Sequence, residues 1–225
     1  MVEIPPSLHK TDYASSLPLK VAWVGHADYG PYVTELVGAL RQKPEIASRF
    51  SFELISRGAF ATKQWSEGSV AKDILACDIA LIAVPQGQWY ANKSANRLAM
   101  MFSLAMPVVA SPLPSYRAIG SQGTNVLFAE STEEIAAGLL SLQSEAERRR
   151  LGINARNALG NRYSPDHIGP QWLEAIRSVP HPSSAFPRTN RRLRILCAIV
   201  HAIAKASFLL PRNPGTPNRQ VSLLP

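Results

Sequence analysis

The sequence predicts one doubly wound α/β domain with a parallel sheet, followed by a basic tail, and three observations predict it. Short apolar runs alternate with stretches at helical spacing along the first 178 residues. Several of those runs are apolar at successive positions, which a strand covered on both faces requires. Composition then changes near residue 178: positions 179–225 hold seven of the eighteen prolines, seven basic residues and no acidic one. The expected organisation is a linker-like segment over 1–19, a domain over 20–178 and a Pro-rich tail over 179–225.

In chain order, strands are expected at 20–24, 51–56, 78–84, 107–111 and 125–129. Helices are expected at about 31–43, 66–76, 94–106, 131–143, 145–160 and 165–177. Ser94 stands just before an apolar-periodic stretch and is placed to cap it, and Pro107 cannot continue that helix. Ser131-Thr-Glu-Glu134 has the spacing of a capping box. Strand, helix, strand in regular alternation implies right-handed crossovers. Ligands of such a sheet bind beyond the carboxyl ends of its strands, which singles out the loops 25–31, 57–64, 85–93 and 112–117.

Composition narrows the function classes. A chain of 225 residues, 46% hydrophobic and 18% charged, buries one sizeable core. The net charge of +8 resembles a nucleic-acid footprint until it is divided, because removing the tail leaves seventeen basic against sixteen acidic groups. Nucleic acid is not the expected partner, since no aromatic residues interleave the tail's charges. Cys77 and Cys197 lack CxxC partners, which excludes a disulfide scaffold and a cysteine-rich zinc site and fits a reducing compartment. The first residues lack the basic and apolar regions of a secretory signal. No paired carboxylates, His-x-x-x-His or Gly-x-Ser-x-Gly pattern supports metal or serine-hydrolase chemistry, and no metal is expected.

Four stretches are candidates for chemistry. Gly25-His26-Ala-Asp-Tyr-Gly30 follows the first strand as a phosphate loop would, but its Gly-x4-Gly spacing satisfies neither a dinucleotide fingerprint nor a Walker motif. Lys93-Ser94-Ala-Asn96-Arg97 opens the 94–106 helix, where free N–H groups and the positive dipole end suit an anion. Cations there oppose the dipole unless an anion is bound, so the alternatives are an anion site and a solvated helix start. Tyr116 and Ser115 lie in a proline-stiffened loop able to present a hydroxyl, and Trp65 and Trp89 lie in or beside crevice loops, able to stack on a base or sugar ring. In the tail, Arg191, Arg192 and Arg194 precede an apolar stretch too short for a confident bilayer span. It reads either as an interfacial helix at anionic headgroups or as a helix docked on protein.

From Lys93 through Pro107-Val-Val-Ala-Ser-Pro112, with Pro114-Ser-Tyr-Arg117, the residues resemble the nucleotide-sugar-binding, C-terminal half of GT-B glycosyltransferases of the retaining "group 1" type. The likeness continues through Asn125-Val-Leu-Phe-Ala, Ser131-Thr-Glu-Glu, Arg148-Arg-Arg-Leu-Gly and Trp172-Leu, and Val2-Glu-Ile-Pro-Pro resembles the segment entering that half. The resemblance implies a Rossmann-like donor domain for a nucleotide sugar, without cofactor, acting on a lipid-linked or polysaccharide acceptor. An acceptor domain would then be supplied in trans, in the cytoplasm or peripherally at the membrane's inner face. With the diphosphate expected at the helix start, Lys93, Ser94, Asn96 and Arg97 are the candidates for phosphate and sugar contacts, with Gly25, His26 and Tyr116 lining the site. Met100 and Asn92 stand where the family has its paired acids, and His26, Asp28 and Tyr29 replace its Arg/Lys diphosphate clamp. These departures favour the alternative, a non-catalytic binding or interaction module.

Overall fold

The computed structural model describes residues 5, 7–85, 87–160 and 165–179. Six strands, β1 (Leu19–Val24), β2 (Phe50–Ser56), β3 (Lys63–Gln64), β4 (Ile79–Ile82), β5 (Val108–Ala110) and β6 (Leu127–Phe128), form one sheet in the order β3-β2-β1-β4-β5-β6. Every pairing is parallel, with Val21 opposite both Phe52 and Ile79. This is the doubly wound α/β architecture expected.

Alternation along the strands explains why both faces are covered. Leu19, Val21 and Trp23 of β1, with Ile79 and Leu81 of β4, enter one core cluster, and Ala22, Val24, Ala80 and Ile82 enter the other. The first cluster is closed by α1 (Gly30–Arg41), α2 (Pro44–Ala47) and a later helix, through Val33, Leu40, Ile46 and Leu139. The second is closed by α3 (Val70–Leu75), with α4 (Gln88–Ala91) and α5 (Asn96–Ser103) following β4, through Ile74, Leu98 and Phe102. After β5 and β6 come α6 (Pro114–Arg117), α7 (Thr132–Ser141) and α8 (Glu145–Leu159).

The capping box forms as expected: Ser131 Oγ accepts from Glu134 N at 3.1 Å, and Glu134 Oε2 accepts from Ser131 N at 3.4 Å. The helix expected from Ser94 begins two residues later. Ala95 is its N-cap and has no polar side chain to cap with, and the Lys93 carbonyl just before it accepts from Ser115 Oγ at 2.5 Å. The strand β3, the short helices α2, α4 and α6, and a 3-10 turn at Ala27–Tyr29 were not expected from the sequence.

The segment before β1 is held by Lys10 N donating to the Leu104 carbonyl (2.9 Å) and by the buried Tyr13, whose Oη donates to the Ala105 carbonyl (2.8 Å). Buried Arg148 of α8 donates to the Leu142, Gln143 and Tyr13 carbonyls at 2.9, 2.8 and 2.7 Å. The helix α9 (Pro165–Ser178) crosses the boundary between two compact units, Met1–Ile168 and Gly169–Pro225, and is described by itself. It contains Pro170 and exposes Trp172, Leu173 and Ile176. No helix among the described residues is long and apolar enough to cross a membrane.

Candidate functional site

The strand order puts the carboxyl ends of β1 and β4 side by side, and the chain leaves them toward opposite faces of the sheet, which makes this the switch point where a crevice opens. Trp23, the last residue but one of β1, is fully buried under it. Its ring meets Phe60 edge-on at 6.0 Å, and its Nε1 makes a long contact of 3.5 Å with the Ala83 carbonyl just past β4. Gly25 follows because a Cβ there would lie 2.1 Å from the Trp23 ring, so packing accounts for this glycine without a phosphate.

His26 lies at the N-cap of the 3-10 turn. Its Nδ1 stands 3.4 Å from Asp28 N and 3.1 Å from Asp28 Oδ2, as acceptor when neutral and donor when protonated. Both side chains are exposed, so this loop presents a carboxylate with its own histidine beside it.

On the other side of the crevice, the chain after β4 turns through α4, where Lys93 N donates to the Tyr90 carbonyl at 3.2 Å, and reaches α5. The Tyr29 and Tyr90 rings, one from each loop, lie 6.0 Å apart. Lys93 Nζ stands 4.7 Å from the first ring and 5.6 Å from the second, and the Arg97 guanidinium stands 5.8 Å from Tyr29. Tyr116 is buried, and burial pushes its hydroxyl pKa up against the opposing charge of Arg97. Arg97 Nη1 is shielded from water and has no hydrogen-bond partner among the described residues.

Lys93, Arg97 and Tyr116 are therefore brought together with Tyr29 and Tyr90. Asn96 is the first residue of α5 and is exposed. Ser94 is also exposed and lies outside the helix, which corrects the expectation that it caps the first turn. Gly25 and His26 belong to the opposite loop. Trp65 carries the Arg57 guanidinium 4.4 Å over its ring; the Trp89 side chain and Arg191, Arg192 and Arg194 lie outside the described residues. Met100 packs partly buried against the second core cluster, as a thioether and not a carboxylate should. The tyrosine pair was hidden in the sequence, because its members meet only once β1 and β4 are known to be neighbours.

Chemically, this arrangement offers uncapped N–H groups at the start of α5 and two cations stacked on aromatic faces, one holding an unsatisfied donor. Such a set suits the oxygens of a phosphate. Among the described residues no group of three or more His, Cys, Asp or Glu is placed to hold a metal ion.

No protein-family description and no protein of curated function matches the chain by sequence. Solved structures do match by shape. A TarM variant from S. aureus, in complex with UDP among other ligands, has 13% identity and a TM-score of 0.56, over 79% of this chain and 38% of that one. HepE from Anabaena, in complex with UDP and glucose, has 14% identity and a TM-score of 0.54, over 72% and 48%. The pneumococcal O-GlcNAc transferase GtfA, in complex with UDP and GlcNAc, has 14% identity and a TM-score of 0.53, over 78% and 38%. The chain spans less than half the length of each of these proteins. Its sheet order and the extent of these matches give it the fold of the C-terminal half of GT-B glycosyltransferases.

Proposed function

We propose that the switch-point crevice binds the diphosphate of a nucleotide-activated sugar, and that the chain serves as the donor half of a glycosyl transfer. One observation carries this reading: at the uncapped start of α5, Arg97 keeps a water-shielded N–H without a partner among the described residues, beside the stacked ammonium of Lys93. A buried donor without an acceptor costs about 1–3 kcal/mol, and a phosphate oxygen would satisfy it. Fixed cations and helix amides would stabilise the departing nucleoside diphosphate without a metal or cofactor. UDP complexes among proteins of the same shape support the ligand class.

The acceptor surface would come from a second domain, and the acceptor itself would be lipid-linked or a polysaccharide. Arg191, Arg192 and Arg194, with the apolar residues after them, would hold the chain peripherally at an anionic membrane surface in the cytoplasm. Asp28 and Met100 favour a second reading, a binding module without catalysis: the first places a carboxylate in the diphosphate loop, and the second cannot accept hydrogen bonds from ribose hydroxyls as a carboxylate does.

Isothermal titration of the full chain with UDP- and GDP-sugars separates the donor reading from the module. Saturable binding is expected, weakened about tenfold by Lys93→Ala through loss of a charge-assisted contact. Absence of binding to every nucleotide sugar tried removes the donor reading and leaves the non-catalytic module. Turnover with a supplied acceptor domain separates transfer from simple binding. For the tail, replacing all three arginines by alanine should reduce co-sedimentation with anionic vesicles; unchanged pelleting ends the membrane proposal.

A further inference from the structure

On the margin of the sheet formed by β6, the last strand in its order, the protein has a cavity that the crevice chemistry does not use. It holds about 350 Å³ and lies between β6 and α7. Leu127, Ala137 and Gly138 give it an apolar wall, and Gln122, Glu134 and Ser141 give it polar groups.

The main chain holds those polar groups in place. Ala129 N donates to the Ala110 carbonyl at 2.9 Å, which turns the N–H of the preceding Phe128 outward, away from β5. Gln122 Oε1 accepts from that N–H at 2.6 Å, so the two amide donors of the same side chain remain for a ligand. The turn that carries Gln122 is itself fixed: Gly123, at φ +69°, donates to the Val126 carbonyl (2.9 Å), and buried Asn125 accepts from Ser121 N (2.7 Å). Glu134 Oε2 accepts from Glu130 N (2.7 Å) and Ser131 N (3.4 Å), which leaves Oε1 as an acceptor. Ser141 Oγ donates to the Gly138 carbonyl at 2.8 Å and keeps its lone pairs.

This set of groups selects a ligand by charge and by its mixture of donors and acceptors. Glu134 is the one acid among the residues lining the cavity, and no Lys, Arg or His lines it; Arg117 stands 5.2 Å over the Phe128 ring but is not in the wall. A phosphate or carboxylate ligand would therefore meet like charge with no cation to offset it. The Glu134 carboxylate already accepts from two main-chain N–H groups at the opening of α7, where the helix dipole favours negative charge, so it does not depend on a cationic ligand. Amide donors together with carboxylate and hydroxyl acceptors match a molecule that offers both at short spacing, as the adjacent hydroxyls of a sugar ring do. The C–H face of such a ring needs an apolar wall, and Leu127, Ala137 and Gly138 supply one. Since hydrogen bonds to the backbone already fix Gln122 and Glu134, little side-chain freedom is lost on binding.

We propose that this cavity is a second ligand site, taking a neutral mono- or disaccharide unit, with ring hydroxyls toward Gln122, Glu134 and Ser141 and the C–H face against Leu127 and Ala137. Its volume lies near the lower end of small-molecule pockets, about 300 Å³, which suits a ligand of that size. The unopposed carboxylate of Glu134 disfavours the diphosphate of a nucleotide sugar. The site is independent of the reading of the α5 crevice, with which it shares no residue.

The test is isothermal titration of the full chain with glucose, galactose, mannose, N-acetylglucosamine, maltose and cellobiose. Two variants locate the heat. Ala137→Arg brings a long side chain into the cavity from an exposed helix position, where it also pairs with Glu134 one turn earlier, and Gln122→Ala removes the amide donors. Saturable binding of at least one of these sugars at about 1–10 mM is expected, with affinity falling about tenfold or more in Ala137→Arg at an unchanged melting temperature. Gln122→Ala should weaken the same sugar severalfold. Titration of Ala137→Arg with UDP-sugars should match that of the unsubstituted chain, so failure of this site and failure of the crevice reading are told apart. The proposal is overturned if no sugar of the set gives saturable heat up to about 50 mM, or if Ala137→Arg binds as the unsubstituted chain does.

Discussion

Replacing Arg97 by methionine should move stability and nucleotide affinity in opposite directions. In the unliganded protein Arg97 holds one water-shielded donor without a partner among the described residues, whose removal recovers about 1–3 kcal/mol. The same substitution forfeits the guanidinium's contact with the Tyr29 ring at 5.8 Å, worth about 0.5–1 kcal/mol at such a site. Methionine keeps most of the side chain's length and packing, so the balance is a gain of about 1 kcal/mol, or about 2–4 °C in melting temperature for a chain of this size. With a nucleotide sugar present, the loss of a charge-assisted hydrogen bond to phosphate, about 1.5–3 kcal/mol, weakens binding roughly 10- to 150-fold. Thermal melts and calorimetric titrations on the same two samples decide the matter. A lower melting temperature together with unchanged affinity would refute the idea that Arg97 is kept unsatisfied for a ligand.

Four further outcomes follow from other contacts. Gly25→Ala should destabilise by about 1–3 kcal/mol in chemical denaturation, since its methyl would stand 2.1 Å from a fully buried indole that has nowhere to retreat. Arg148→Met should cost about 3 kcal/mol or more, because three carbonyls lose their donor at once. Burial raises the Asp73 pKa, but hydrogen bonds from Lys63 and Ser69 and the Lys63 charge outweigh it and leave the carboxyl below its usual range. Its contribution is therefore complete above the ordinary aspartate pKa and lost as pH falls through the depressed value. The stability deficit of Lys63→Met should be largest near neutrality and fade in acid, as denaturation curves across pH will register. Cys77, whose thiol burial pushes up to about 11, should resist alkylation at pH 8 in a Cys197→Ser chain until denaturant is added.

Much of the fold was legible because parallel strands buried on both faces leave a direct trace. The run from Ile79 to Ile82 is apolar at every position, and the structure divides it alternately between two core clusters. Ser131 was legible for a local reason, since the whole capping box fits within four residues. Ser94 misled for a non-local one: Ser115, in α6 after the next strand, donates to the Lys93 carbonyl just before the helix. Lys63–Gln64 and Pro114–Arg117 are too short to show a period. In the site, Lys93 and Arg97 were visible as cations beside a helix start, whereas their stacking on Tyr29 and Tyr90 depends on strand order. The orphaned N–H of Arg97 depends on packing that no spacing of residues encodes.

The sheet's flanks have a bearing on how the protein behaves at high concentration. Its outermost strands, β3 and β6, are only two residues long, and the residues of β3 are an exposed lysine and glutamine, with the lysine tied to Asp73 at 2.8 Å. So short a run leaves few main-chain groups for a neighbouring molecule to zip onto, and a charged side chain discourages the attempt. Ribbon-like self-assembly through either margin is thus disfavoured by construction, and clumping of the native protein, if it occurs, should begin from sticky side chains such as Trp172 and Ile176 and not from the backbone of the sheet.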